Sequence, residues 1–233
     1  NNLGFAHLQL GSIMKQKLNK PIYVDNDANA AALGEAKAGA TKGAAKSICI
    51  TLGTGVGSGI VLDGKIYGGA NYAGGELGHT VIVADGEPCT CGRRGCWETY
   101  SSATALMSQT RKAMQENPDS LMWKLADGDL ANVDGRIPFD AAKQGDAAGQ
   151  AVVDQYVKYL ACGLVNVINI FQPDIICVGG GVCRQGENLL GPVRKIIEEE
   201  RYSKYCKKQT QLCVAQLGND AGIVGAACLG ESN

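Results

Sequence analysis

Four residues able to ligate a soft or borderline metal stand within eighteen positions: His79, Cys89, Cys91 and Cys96, in the pattern H-x9-C-x-C-x4-C. Three thiolates and an imidazole suit tetrahedral Zn²⁺, and four protein ligands leave no open position, so such a metal would be structural. Gly92 and Gly95 would allow the tight backbone curvature that aims three sulfurs at one point. The competing reading is a loop of reduced cysteines or a disulfide pair; three idle thiols on a solvent-facing loop are uncommon, which favours zinc.

Two glycine clusters could cradle phosphate. Gly53-Thr54-Gly55-Val56-Gly57 follows a strand-like run and precedes another, so it fits neither G-x-G-x-x-G nor a Walker loop, both of which open a helix. Backbone N–H groups and the Thr54 hydroxyl could still hold a phosphate there, or the segment could be an ordinary hairpin. Gly179-Gly180-Gly181 lies between a buried strand and a helix, where it could admit a nucleotide to the strand's carboxyl end or simply make a tight turn. Asn26, Asp27, Glu76, His79 and Glu98 add carboxylates and hydrogen-bonding groups. Together they suit a polyhydroxylated ligand, and a carboxylate could take a hydroxyl proton during attack on phosphorus. Taken singly, Asn26 or Asp27 could be a helix cap, and Glu76 and Glu98 could be solvated surface.

The elements that must position these groups follow from periodicity and punctuation. A helix is expected over Leu8–Leu18, and Pro21–Val24 reads as a short buried strand. Asn26 or Asp27 caps an alanine-rich helix from Ala28 to about Gly39. Ser47–Leu52 is a strand entering the glycine-rich turn at 53–59, Ile60–Leu62 is a second, and Asp63-Gly64 turns into a partner at Lys65–Tyr67. Residues 71–98 are loop-rich, and Ser102–Met114 is helical. Asp146 caps a long helix over 147–171 that Pro173 stops. Strands at Asp174–Val178 and Leu212–Leu217 and helices at 189–200 and 221–229 complete an alternating pattern, which predicts an α/β sheet.

Composition narrows the classes. The 233 residues are 45% hydrophobic and 19% charged, as in a globular core rather than a disordered chain. With 22 basic and 23 acidic side chains, neither a nucleic-acid surface nor an acidic tail is indicated. The longest apolar run, near Ile170, reads as short of a membrane span, and no signal peptide is visible at Asn1. Glycine, at 32 residues, is about twice its usual share. Of the 10 cysteines, Cys49, Cys162, Cys177 and Cys228 sit singly in apolar runs as small hydrophobes.

The segments D-N-D-A-N-A-A-A-L-G-E (25–35), L-G-T-G-V-G-S-G-I (52–60), G-G-E-L-G-H-T (74–80), C-T-C-G-R-R-G-C-W-E (89–98), V-G-G-G-V (178–182) and N-D-A-G-I-V-G-A-A (219–227) resemble, in this order, the ROK family of sugar kinases and repressors, in its bacterial glucokinase form. The resemblance covers essentially the whole chain and implies the large C-terminal lobe of an actin-like, hexokinase-type (ribonuclease H-like) ATPase fold, with residues 1–233 as the sugar- and nucleotide-binding lobe and 71–98 as a zinc loop.

It further implies ATP-dependent phosphorylation of a hexose, glucose most commonly, with Asp27 as general base. Asn26, Gly55, Glu76, His79 and Glu98 match sugar-binding positions. Gly53, Thr54 and Gly55 match a phosphate loop, and Gly179, Gly180 and Gly181 an adenosine-side loop. Structural Zn²⁺ on His79, Cys89, Cys91 and Cys96, Mg²⁺ with ATP, a reducing cytoplasm and a homodimer or homotetramer are also implied. The family's N-terminal D-x-G-G-T-type loop has no counterpart here, so this span alone is expected to be inactive, and the helix at 221–229 to have its usual partner in a lobe that is absent. The alternative within the family is a sugar-sensing transcriptional repressor.

Overall fold

The computed structural model describes residues 8–231. A five-stranded mixed sheet lies at the centre, in the order β3-β2-β1-β4-β5. Strand β1 (Lys46–Leu52) pairs antiparallel with β2 (Val56–Leu62), which pairs with the short β3 (Lys65–Ile66). On its other side β1 runs parallel to β4 (Ile175–Gly179), and β4 parallel to β5 (Gln211–Val214). The α/β class expected from the alternation is what forms.

Strand alternation gives the sheet two unlike faces. Ile48, Ile50, Leu52, Ile60, Ile176 and Val178 point into a large core. That core is closed by α4 (Ala103–Glu116), α6 (Ile137–Lys143), α7 (Ala147–Phe171) and α8 (Glu187–Glu200), after the short α3 (Glu98–Ser101) and α5 (Leu121–Leu125). The opposite face is lined by small residues, Cys49, Val61 and Cys177, which lets α2 (Asp27–Ala38) lie close through Ala32. A Cβ on Gly59 would stand 2.5 Å from both Ala28 O and Ala32 Cβ, so glycine at that position is what allows the contact.

Local chemistry explains the helix ends. Asn26 caps α2, its Oδ1 accepting from Ala28 N at 2.8 Å. Ser102 caps α4, and Asp146 caps α7 by accepting from Gly149 N at 2.6 Å. Helix α7 ends at Gln172 in the left-handed region, one residue before Pro173. Its length and hydropathy would suffice for a membrane span, contrary to the reading of the apolar run near Ile170. It is instead the central helix of the core, with 61% of its most apolar window buried.

Two other expectations need correction. Pro21–Val24 is not a strand: among the described residues no sheet partner takes it up, and Tyr23 and Val24 are exposed. Val56–Gly59 belongs to β2 rather than to a turn, so the β1–β2 connection is only Gly53-Thr54-Gly55. Two short helices, α5 and α6, form within stretches that carry little periodicity. Upstream, the predicted helix at the chain's start is α1 (Leu10–Leu18), which buries none of its residues.

At the other end, α9 (Ala221–Cys228) packs along α2. A Cβ on Gly225 would lie 1.6 Å from Ala30 O, which shows how close the two helix backbones run. Ile223 on α9 is 71% exposed.

Candidate functional site

The carboxyl ends of the parallel neighbours β1 and β4 meet at one edge of the sheet, where Thr51 pairs with Gly179. Both glycine loops therefore emerge side by side. In the first, Gly53 N donates to Gly55 O at 3.0 Å, while Gly53 O accepts from Ala103 N at the start of α4 at 2.9 Å. In the second, Gly180 has φ +105°, and a Cβ there would meet Leu52 O at 2.1 Å. The second loop thus lies directly on the end of β1. Ligands of open α/β sheets gather at such an edge.

Helix α2 brings Asn26 and Asp27 to the same edge. Ala28 Cβ lies 3.4 Å from where a Cβ on Gly57 would stand, at the start of β2. Asp27 is exposed; its Oδ1 accepts from Ala28 N at 2.9 Å, and among the described residues Oδ2 accepts nothing. A bracket that the sequence reading missed steadies this corner: Asp25 Oδ1 accepts from Asn26 N and from Asn29 Nδ2, both at 2.7 Å, and Asn29 is buried. Its only trace in the sequence is the i, i+4 spacing of Asp25 and Asn29.

Glu98 joins the remaining parts. Its Oε2 accepts from Val56 N at 3.0 Å and lies 2.1 Å from where a Cβ on Gly55 would be, while Oε1 stands 4.0 Å from Cys89 Sγ. One carboxylate thus touches the β1–β2 turn and the cysteine loop together. Glu76 is exposed on a short 3₁₀ turn, Leu77–His79, held to β2 by Ser58, whose hydroxyl donates to Gly75 O and accepts from Leu77 N. Ser58 is a second positioning residue that the motifs did not reveal. Among the described residues no hydrogen bond links Asp27 to Glu76, His79 or Glu98, so any substrate would have to bridge them. A groove of about 850 Å³, lined in part by Thr54, Glu98, Ser102 and Lys112, opens beside Glu98.

His79, Cys89, Cys91 and Cys96 converge, their ligand atoms all within 4.8 Å of one another. Cys89 Sγ lies 3.6 Å from His79 Nδ1, and Cys91 Sγ lies 3.6 Å from Cys96 Sγ. Those spacings match the edges of a tetrahedron built on Zn–S and Zn–N bonds of about 2.3 and 2.0 Å. The Cys89 N–H to Arg93 O and Gly92 N–H to Cys89 O bonds close the turn, with Gly92 and Gly95 at positive φ. A hydrogen bond from the Arg93 backbone draws the Cys91 thiol below its ordinary pKa. Burial, reinforced by the neighbouring sulfurs, pushes Cys96 up to about 12. A bound divalent cation would reverse the latter, releasing the proton as it binds. The donor set fits zinc.

This geometry can be set beside that of known proteins. The sequence matches the ROK family over residues 1–232. The chain belongs to the ROK family. It is 39% identical to a glucokinase of Halalkalibacterium halodurans over 230 residues, covering 98% of this chain and 69% of that protein. It is 33% identical to a xylose repressor of Caldicellulosiruptor bescii over 206 residues, 86% of this chain and 50% of the repressor. A ROK family glucokinase from Streptomyces griseus, solved with glucose and AMPPNP, superposes with a TM-score of 0.86 at 37% identity, covering 98% of this chain and 74% of that one. The ROK hexokinase from Thermus thermophilus gives 0.77 at 32% identity, over 94% and 68%. The fold is therefore the hexokinase-type, actin-like α/β fold, and the chain is a part of the length its relatives have.

Proposed function

We propose that this chain is the sugar- and nucleotide-binding lobe of an ATP-dependent hexose kinase whose substrate is glucose. The observation that carries the reading is the shared sheet edge: an exposed Asp27 with an unused Oδ2, two adjoining glycine loops, and Glu98 bridging one of them to the cysteine loop. Similarity to glucokinases over 98% of the chain supports it.

In this mechanism Asn26, Glu76, His79 and Glu98 hold the sugar hydroxyls and leave the 6-hydroxyl facing Asp27. Asp27 accepts that hydroxyl's proton as its oxygen bonds to the γ-phosphorus of Mg-ATP, and the bond from γ-phosphorus to the β–γ bridging oxygen breaks to release ADP. Backbone N–H groups of Gly53–Gly55, with the Thr54 hydroxyl, and of Gly179–Gly181 cradle the phosphates and the adenosine side. The acceleration comes from positioning and charge neutralisation. Zinc on His79, Cys89, Cys91 and Cys96 would fix the loop and orient His79 without entering the reaction.

In the full-length protein, Asp27→Asn is expected to keep glucose binding while phosphoryl transfer falls by at least about 10²-fold, the lower range for general-base loss. Near-normal turnover in a coupled glucose/ATP assay would refute the assignment. A sugar-sensing repressor is the second reading, supported by the similarity to xylose repressors. Absence of glucose-driven ATP turnover in the full-length wild type would favour it. The span 1–233 by itself is proposed to be inactive, and the outer side of α9 with Ile223 to meet the remainder of the full-length protein.

A further inference from the structure

Glu35, on the same helix as Asp27, is fully buried, and among the described residues no lysine or arginine forms an ion pair with it. Its carboxyl is spent on backbone N–H groups. Oε2 accepts from Ala40 N at 2.6 Å and Gln216 N at 3.1 Å, and Oε1 accepts from Leu217 N at 2.8 Å. Gly39 folds over the group so closely that a Cβ there would stand 2.1 Å from Oε2. Burying a carboxyl on N–H dipoles alone is costly, and an apolar side chain would pack the same space more cheaply if packing were its only task.

What the bonds do is fix the chain between β5 and α9 to the helix that carries Asp27. That segment adjoins the second glycine loop: Ala215 N donates to Val178 O at 2.9 Å, and Ala215 Cβ is 3.3 Å from where a Cβ on Gly179 would be. We propose that Glu35 is a positioning residue that holds the nucleotide side of the cleft in register with Asp27, acting on nucleotide affinity and not on sugar affinity. This rests on the kinase reading of the two loops.

The side-chain amide introduced by Glu35→Gln would offer one acceptor oxygen and turn an N–H₂ toward a backbone donor, so the three bonds cannot all survive. In the full-length protein, calorimetry with AMPPNP is expected to show at least about 10-fold weaker nucleotide binding, with glucose binding changed by less than about twofold, and hydrogen exchange is expected to lose protection at the Gln216 and Leu217 amides. Should the variant not fold, Leu217→Pro deletes one of the three donors at a residue whose φ of −81° a proline accepts. Equal loss of both ligands, unchanged AMPPNP binding, or a wild type that does not bind AMPPNP each overturns the proposal. A wild type that binds AMPPNP yet shows no glucose-dependent turnover sinks the kinase reading instead, while the split in binding still judges Glu35.

Discussion

Gly55→Ala isolates the contact between the phosphate-side turn and the proposed sugar-binding carboxylate. Gly55 does not have a positive φ, so alanine can adopt its backbone and the perturbation is steric. The new methyl would stand 2.1 Å from Glu98 Oε2 and 3.0 Å from its Cδ, where ordinary contact begins near 3.5 Å. The carboxylate must swing by more than an ångström, and the bond it accepts from Val56 N at 3.0 Å cannot persist. A hydrogen bond to a charged group contributes about 1.5–3 kcal/mol. If the same carboxylate position serves a sugar hydroxyl, glucose affinity should fall by about 10- to 150-fold. The assay is calorimetric glucose binding to the full-length protein, with zinc content measured in parallel, because the methyl itself meets none of the four cluster residues while the displaced carboxylate adjoins Cys89. A folded variant with wild-type glucose affinity would refute the role given to Glu98. Loss of zinc alongside glucose would show that the swing carries through Cys89 into the loop, and would refute a loss confined to the carboxylate's own bond.

Other expectations follow from the packing. Asp146 is partly buried, which alone would raise its pKa, but the N–H groups of Gly149 and Leu121 and the Ser120 hydroxyl hold the carboxyl below its ordinary range. Its folded pKa is therefore depressed: its contribution is complete above the unfolded value near 3.9 and is lost as pH falls through the lower folded value. Asp146→Ala should cost about 1–2 kcal/mol by denaturant titration at neutral pH, and less near pH 2; an undiminished difference there would contradict the linkage. Gly225→Ala should cost about 1–3 kcal/mol by forcing α9 off α2, and an unchanged midpoint would show that the helices part freely. The isolated protein should carry about one zinc per chain by elemental analysis, and Cys91→Ser should lower that content. Metal-free protein with an ordered 79–96 loop would count against the site.

The fold was legible where a cap, a period and a stop coincide. Asp146, the apolar spacing through Ile168 and Pro173 define α7 from both ends, and Asn26 with the alanine run defines α2. Legibility failed where one residue type serves two purposes. Gly57 and Gly59 read as turn residues, yet they lie in β2, where a side chain on Gly57 would meet the Thr51 hydroxyl at 2.5 Å and one on Gly59 would meet α2. Pro21–Val24 has the composition of a buried strand, but nothing in the sequence says whether a sheet partner exists. Helix α6 is seven residues long and begins at Ile137 after Arg136, which makes no side-chain cap, so Pro138 in its first turn is its main mark in the sequence. In the candidate site the chemistry-bearing residues were visible by type and spacing. Asp25, Asn29, Ser58 and Glu35 were not, because their work is to hydrogen-bond segments that only the fold brings near.

The stretch Cys96-Trp97-Glu98 shows why the proposed metal and sugar sites adjoin. A short polar loop has too little apolar surface to fix itself, so its position must come from bonds made at its ends. Cys96 belongs to the proposed metal cluster. Trp97 is fully buried, donates from Nε1 to Tyr159 O on α7 at 3.1 Å and fills the space that Gly163 leaves. Glu98 is then tied to Val56 N on β2. The carboxylate thus has two anchors that do not depend on a metal; the His79 backbone is held by the Ser58 contact to Leu77, by Trp97 N donating to Thr80 O at 2.8 Å and by the Arg93 guanidinium donating to His79 O at 3.1 Å, whereas its imidazole meets the loop through the cluster. Removing zinc should therefore release the His79 imidazole first and leave Glu98 nearly in place. In the full-length protein, chelation is expected to weaken glucose binding by less than Glu98→Ala does, and re-adding zinc to restore it. If chelation instead abolished binding as completely as loss of the carboxylate, the metal would be holding Glu98 itself, and the anchoring assigned to Trp97 and β2 would be wrong.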